Sequence, residues 1–256
     1  SPNYMKWFPS SNFSDYLFAP FLFIMGWIFS GIGVIGQPHV MIRFMAIDNT
    51  DNIPQTRIYY YGWYISFYTL TICAAFVARL LIPETNSLDP ELALPILATK
   101  LLPDFLVGVV LAGIFAAAMS TADSQILSCT ASITNDLFSN KKNNYLFNKA
   151  VTLIVTLFVV TIAVNDNKNV FNLVLISWST LACCFSPILI VYSLKQKITQ
   201  FLSIMMMVIP LITLHIWRYF ELNILIYEVA PGILSGIITF LVHKVYKILE
   251  QKIIKN

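Results

Sequence analysis

The sequence predicts an all-α integral membrane protein of about seven transmembrane helices, and three observations carry that reading. Apolar residues make up 57% of the 256-residue chain and charged residues 11%, against about 25% charged in a soluble domain. The mean hydropathy is +0.72. Apolar stretches long enough to cross a bilayer, about 17–25 residues each, are found near 17–37, 59–82, 104–127, 145–164, 170–193, 200–220 and 224–244. In hydrocarbon a helix satisfies its own backbone, so each stretch reads as a helix.

The first span holds Gly31, Gly33, Gly36 and Pro38 close together. Glycine loosens a helix and proline removes a hydrogen bond, so an interruption is expected there. Two readings stand: a broken helix lining a cavity, as in secondary transporters, or a proline kink with glycines for close packing. The segment His39–Asp48 is amphipathic and suits the inner interface, with Arg43 toward headgroups. After the second span, Pro83–Pro95 is rich in turn residues, and Leu92–Leu102 reads as a short surface helix.

The third span carries Gly113-Ile-Phe-Ala-Ala-Ala-Met-Ser-Thr-Ala-Asp-Ser-Gln-Ile-Leu127. Hydroxyls and an acid inside an apolar helix mark a functional face by default. Ala117, Ser120 and Thr121 share one helical face. The Ala117 carbonyl and two hydroxyls offer neutral oxygens to a small hard cation such as sodium. Asp123 falls near the inner boundary, on a possible ion path.

The remaining spans hold Cys183 and Cys184, and with Cys73 and Cys129 every cysteine lies in an apolar segment, without metal or disulfide spacing. The three histidines, His39, His215 and His243, are far apart. No phosphate-cradling Gly-Lys-Ser/Thr loop is present, so nothing points to an enzyme or to nucleotide-driven pumping. The basic stretch Lys244–Lys255 fits anionic lipid rather than nucleic acid.

Eleven of the sixteen Lys and Arg residues fall on one alternating set of loops. The positive-inside rule then puts the N-terminus of this chain outside and its C-terminus in the cytoplasm. An outside start without a leader reads as a fragment of a longer protein, with 1–16 as an external loop.

Gly36-Gln-Pro-His-Val-Met-Ile-Arg-Phe-Met-Ala46 and Ala116–Leu137 resemble two signatures of the sodium:solute symporter family, nearest its sodium/proline branch. A looser match is Asn172–Pro187. The resemblance implies the second inverted repeat of a LeuT-type core over 1–193, and two peripheral helices over 194–256. It implies a sodium-coupled symporter in the plasma (inner) membrane that imports a small organic solute, proline or another amino or carboxylic acid. Sodium is the implied ion, held at Ala117, Ser120 and Thr121, with Ala117 acting through its carbonyl. The implied solute residues are Ser30, Val34, Gly36, Gln37, Pro38 and Trp178, with Ser177 and Ser179 nearby. Where the proline-specific branch carries a Trp and a Tyr, this chain has Ser30 and Val34, which leaves the solute open. The alternative is a symporter-like sensor module of a signalling protein.

The charge asymmetry makes a topological prediction. In intact cells an impermeant thiol reagent should label a cysteine placed at Asn86 and not one at Asn143. The opposite pattern would invert the orientation.

Overall fold

The computed structural model describes residues 18–82, 89–138, 140, 144–165 and 170–255. The expected outer segments 1–16 and 83–88, and the loop around Asn143, lie outside the described residues. The α-helices are α1 (Ala19–Ile32), α2 (Pro38–Met45), α3 (Ile53–Leu81), α4 (Ala93–Leu101), α5 (Asp104–Ala131), α6 (Tyr145–Asn165), α7 (Val170–Ser193), α8 (Gln200–Tyr219) and α9 (Val229–Lys255). No strand occurs among the described residues. Among the described residues seven helical stretches are long and apolar enough to cross a membrane, as expected, and the chain is a multi-pass membrane protein.

Two span starts move clearly relative to the hydropathy reading, and α5 and α9 run on past their expected ends, to Ala131 and Lys255. The second span begins earlier because α3 starts at Ile53 with a proline in its first turn, a position where the missing amide costs nothing. The seventh begins later. Glu221 sits at a left-handed φ of 54°, a 3-10 turn follows over Leu222–Ile224, and α9 starts only at Val229.

The chain groups into two compact units, one of residues 1–45 with 162–256 and the other of residues 46–161. In the first, α7, α8 and α9 pack around Ile188, Val191, Leu202, Met206 and Phe240. A second cluster, Ala182, Val229 and Ile233, gathers Phe29 of α1, Trp178 and Tyr227. The helices α8 and α9 therefore pack with α1 and α7. α7 ends in a Schellman turn: Gln196 N–H donates to Val191 and Lys195 N–H to Tyr192, with Lys195 at φ 55° in the place glycine usually takes.

Close approach of α9 to its neighbours depends on Gly232 and Gly236. A side chain at Gly232 would collide with the Cys183 sulfur, and one at Gly236 would lie 2.6 Å from the ring of Pro187. Small residues four apart allow such backbone contact between membrane helices. In the second unit α4 packs against α3 and α5, burying Leu97 and Ala98. The Lys100 ammonium donates to the Leu81 carbonyl at 3.1 Å, satisfying one of the last acceptors of α3. The second signature's α5 runs on into a π-helical turn, Ser132–Leu137.

Gly236→Val should overpack the α7–α9 contact and destabilise the protein by about 1–3 kcal/mol. Gly108→Ala, at a site with open space around it, should instead be neutral or add up to about 1 kcal/mol through helix propensity. Thermal unfolding of the purified protein in detergent would check both, and equal effects would contradict the packing.

Candidate functional site

The interruption of the first span is present and its cause is local. Proline at 38 has no amide and pushes the preceding residue out of the helical region; Gln37 accordingly adopts φ −89°, ψ 111°. α1 tightens into a 3-10 turn over Gly33–Gly36 before the break, and α2 begins at Pro38. In this turn the Gln37 amide donates to Val34 at 3.1 Å rather than to Gly33. The Gly33 carbonyl takes the Ser186 hydroxyl of α7 instead, at 3.4 Å.

Glycine is required at both ends of the turn. A Cβ on Gly33 would stand 2.7 Å from the Ala182 Cβ, and one on Gly36 would stand 2.5 Å from the Ser186 oxygen and 3.0 Å from the Leu181 carbonyl. Contact this close brings the two sides of the break within reach of one residue, Trp178. Its indole N–H donates to the Ser30 carbonyl at 3.2 Å, and its own carbonyl accepts the Gln37 side-chain amide at 3.1 Å.

Of the six residues expected at the solute site, Ser30, Gly36, Gln37 and Trp178 are thus gathered at the α1–α7 contact. Ser30, Gly36 and Gln37 are buried, and Trp178 and Pro38 are half-buried. Val34 is exposed at 36% and makes the open side of the turn. Beside Pro38, burial and then the charge of Arg43 hold the His39 imidazole below its ordinary pKa. It is neutral at neutral pH.

The expected sodium oxygens lie on α5. The Thr121 hydroxyl donates to the Ala117 carbonyl at 3.1 Å, which sets these two oxygens side by side, and Ser120 and Thr121 are exposed. Ser124, which sequence reasoning did not single out, stands on the same face one turn on and donates to the Ser120 carbonyl at 2.8 Å. Spacing from Ala117 to Ser124 was the available signal. The Thr121 and Ser124 hydroxyls each direct the proton to a carbonyl of their own helix, which leaves their lone pairs as acceptors. Asp123 is also exposed and lies off this face, beside Ser120. Among the described residues no cluster of His, Cys, Asp and Glu is suited to a metal, and a site of neutral oxygens suits an alkali cation better than a transition metal.

Sequence reasoning also missed a polar cluster on the connection between α8 and α9. The Arg218 guanidinium donates twice to one Glu228 carboxylate oxygen, from Nε at 3.0 Å and Nη2 at 2.6 Å, and Nη2 also reaches the Ser179 hydroxyl of α7 at 2.6 Å. The Glu228 side chain is 4% exposed. Next to it, burial and then the Glu228 charge push the Tyr227 phenol up, so it remains a neutral donor to the Leu175 carbonyl at 3.1 Å.

The sequence pattern that defines the Sodium:solute symporter family matches residues 3–209. The sodium/proline symporter of Escherichia coli (strain K12) is 27% identical over 238 residues, 88% of this chain and 47% of that relative. The sodium/proline symporter 2 of Staphylococcus saprophyticus is 29% identical over 229 residues, 82% of this chain and 45% of that relative. The Haemophilus influenzae sodium/proline symporter is 26% identical over 229 residues, covering 79% and 44%. The chain therefore spans about half the length of the curated relatives it matches. No solved structure matches it significantly.

The two bonds that meet at Trp178 should behave as one unit. Trp178→Phe and Gln37→Leu should each cost about 1 kcal/mol, and the double variant less than their sum by more than about 0.5 kcal/mol. A thermal-unfolding mutant cycle reads this directly; strict additivity would mean that the two bonds act independently.

Proposed function

The chain belongs to the sodium:solute symporter family, and on that premise we propose that it forms the ion-binding and part of the solute-binding portion of a sodium-coupled importer of a small organic solute. Proline or another amino or carboxylic acid is the solute class. The observation that carries this reading is the pairing of two features that membrane helices rarely hold without use: a broken span and a face of neutral oxygens on α5. The relatives reported above are all named as symporters, which supports transport and lends nothing to a sensor module or an enzyme.

In this reading sodium is a transported substrate. It binds the Ala117 carbonyl with the Ser120 and Thr121 hydroxyls, and Ser124 orients the Ser120 carbonyl next to them. Asp123 stands near the inner boundary on the path of ion release. The solute meets the broken span, with Val34 on the open side and Ser30, Gly36, Gln37, Pro38 and Trp178 behind it. Helix interruptions supply such sites because carbonyls and half-helix ends recognise polar groups without carrying a full charge. Residues 1–193 would be the second repeat of a LeuT-type core and 194–256 its peripheral helices, set in the plasma (inner) membrane with the first residue outside and the last inside. Partners are the solute, sodium and lipid, with no nucleic acid.

Coupling follows from linkage. If sodium and solute both favour one arrangement of the protein, each raises the other's affinity by the same factor. No stored chemical energy is required beyond the sodium gradient.

The test is uptake by the complete protein in membrane vesicles, with proline as the first probe and other amino acids and short carboxylates as competitors. Ser120→Ala with Thr121→Ala removes two contacts to a charged ligand, each worth about 1.5–3 kcal/mol. Half-saturating sodium should rise at least about tenfold, without a matching loss of protein. Uptake that keeps its sodium dependence in the double variant would refute the ion site.

A further inference from the structure

We infer that Arg218 and Glu228 are positioning residues for the solute site, acting through the connection between α8 and α9 to hold α1 and α7 in register. The inference rests on the transport reading only for its uptake measurement.

The connection does more than link two helices. Its returning segment, Ile226 to Glu228, touches three of them. On α8, the Trp217 indole donates to the Ile226 carbonyl at 3.0 Å. On α1, the Tyr227 ring stacks on Trp27 with centroids 5.4 Å apart and planes at 20°. The Tyr227 backbone approaches so close to Gly26 that a Cβ there would lie 2.8 Å from the amide nitrogen. On α7, the Tyr227 hydroxyl holds Leu175, Arg218 holds Ser179, and the Cys183 thiol points to the Glu228 carbonyl at 3.9 Å.

These anchor points flank the break. Leu175 and Ser179 stand on either side of Trp178, and Trp27 precedes Ser30 by one turn. One pair of helices is therefore tied twice, at Trp178–Ser30 by an indole bond and at Tyr227–Trp27 by the connection. The ion pair fixes the connection itself: Arg218 ends α8, Glu228 precedes α9, and Arg218 fastens the pair to α7 through Ser179.

A buried charge pair is a poor choice for stability alone, since apolar residues of similar volume often do as well or better. What it supplies is a directional lock. A guanidinium with Nε and Nη2 on one carboxylate oxygen and Nη2 also on a hydroxyl admits one arrangement, whereas apolar contacts would tolerate sliding. The consequence is a solute site held ready, so that its loss weakens solute binding and leaves turnover alone.

The experiment uses the complete protein in vesicles, with uptake measured on native Val34 and labelling measured on a second protein in which Cys73 and Cys129 are changed to Ala and Val34→Cys is a reporter on the open side of the break. Arg218→Gln with Glu228→Gln removes both charges and leaves neither stranded. Ser179→Ala keeps the ion pair and removes its tie to α7 together with the Ser179 contact to the Tyr227 phenol, so it loosens the connection from α7 and remains informative if the double variant fails to insert. In either variant half-saturating proline should rise about fivefold or more with maximal rate within about twofold, the signature of lost uniform binding. Half-saturating sodium should be unchanged, and maleimide labelling of Cys at 34 should change rate by about threefold or more as the break loses its register. Arg218→Lys, with a single point donor, should fall between wild type and the double variant. Unchanged proline affinity and unchanged labelling in an inserted variant would overturn the inference and leave the pair a structural contact. Should wild-type protein take up no proline, the transport reading of this solute fails while the labelling rates still decide the clamp.

Discussion

Everything in the α1 region depends on one constraint: backbone polar groups in apolar surroundings must be satisfied by the protein itself. Pro38 brings no amide, and the 3-10 turn before it redirects the amide of Gln37 to Val34. That leaves carbonyls of α1 to be approached from outside, and α7 answers with the Trp178 indole at Ser30 and the Ser186 hydroxyl at Gly33. The glycines at 33 and 36 are the condition for this, since any side chain there would hold α7 too far away for a hydrogen bond. A break in one helix has thereby become the contact between two.

The same constraint acts differently on α5. Its hydroxyls donate to carbonyls on their own helix, Thr121 to Ala117 and Ser124 to Ser120, so the helix stays whole. Hydroxyls bound this way in a helix slightly weaken it and gain nothing for packing. In the proposed reading their use lies in the lone pairs that remain. A row of neutral acceptors is hospitable to a weakly held cation and indifferent to its absence, as a site that fills and empties needs to be.

Much of this was legible in the sequence because it rests on local rules. Composition and span length gave the all-α membrane class. Pro38 with Gly33 and Gly36 announced the break, and the spacing of Ala117, Ser120 and Thr121 announced the shared face. What stayed hidden depends on partners far along the chain. Nothing local tells Trp178 that it will meet Ser30 and Gln37, and Arg218 and Glu228 look like ordinary charges near helix ends until the chain folds back to pair them and to bring Arg218 to Ser179. Gly232 and Gly236 have the spacing of a packing motif, yet their meaning comes from Cys183 and Pro187 across the contact. The start of α9 was misplaced for a related reason, since hydropathy averages over Tyr227 and Glu228 without registering that one is stacked and the other paired.

The distribution of charge follows a single logic. At the break and at the proposed sodium oxygens of α5, the groups proposed to hold solute and ion are neutral, an amide, an indole, hydroxyls and carbonyls, with Asp123 set apart on the release path. Neutral dipoles bind without demanding a permanent counter-charge, so a ligand can leave without stranding an ion in hydrocarbon. The full charges of the first unit that are most deeply placed, Arg218 and Glu228, instead satisfy one another across a short connection. Separating them would leave a buried charge uncompensated, at a cost well above that of any single neutral bond. A transporter that moves by rearranging helices should therefore keep this pair closed throughout and let the weaker, neutral contacts change, which makes the end of the α1–α7 contact near Tyr227 the fixed point and the Gln37 side the one free to move.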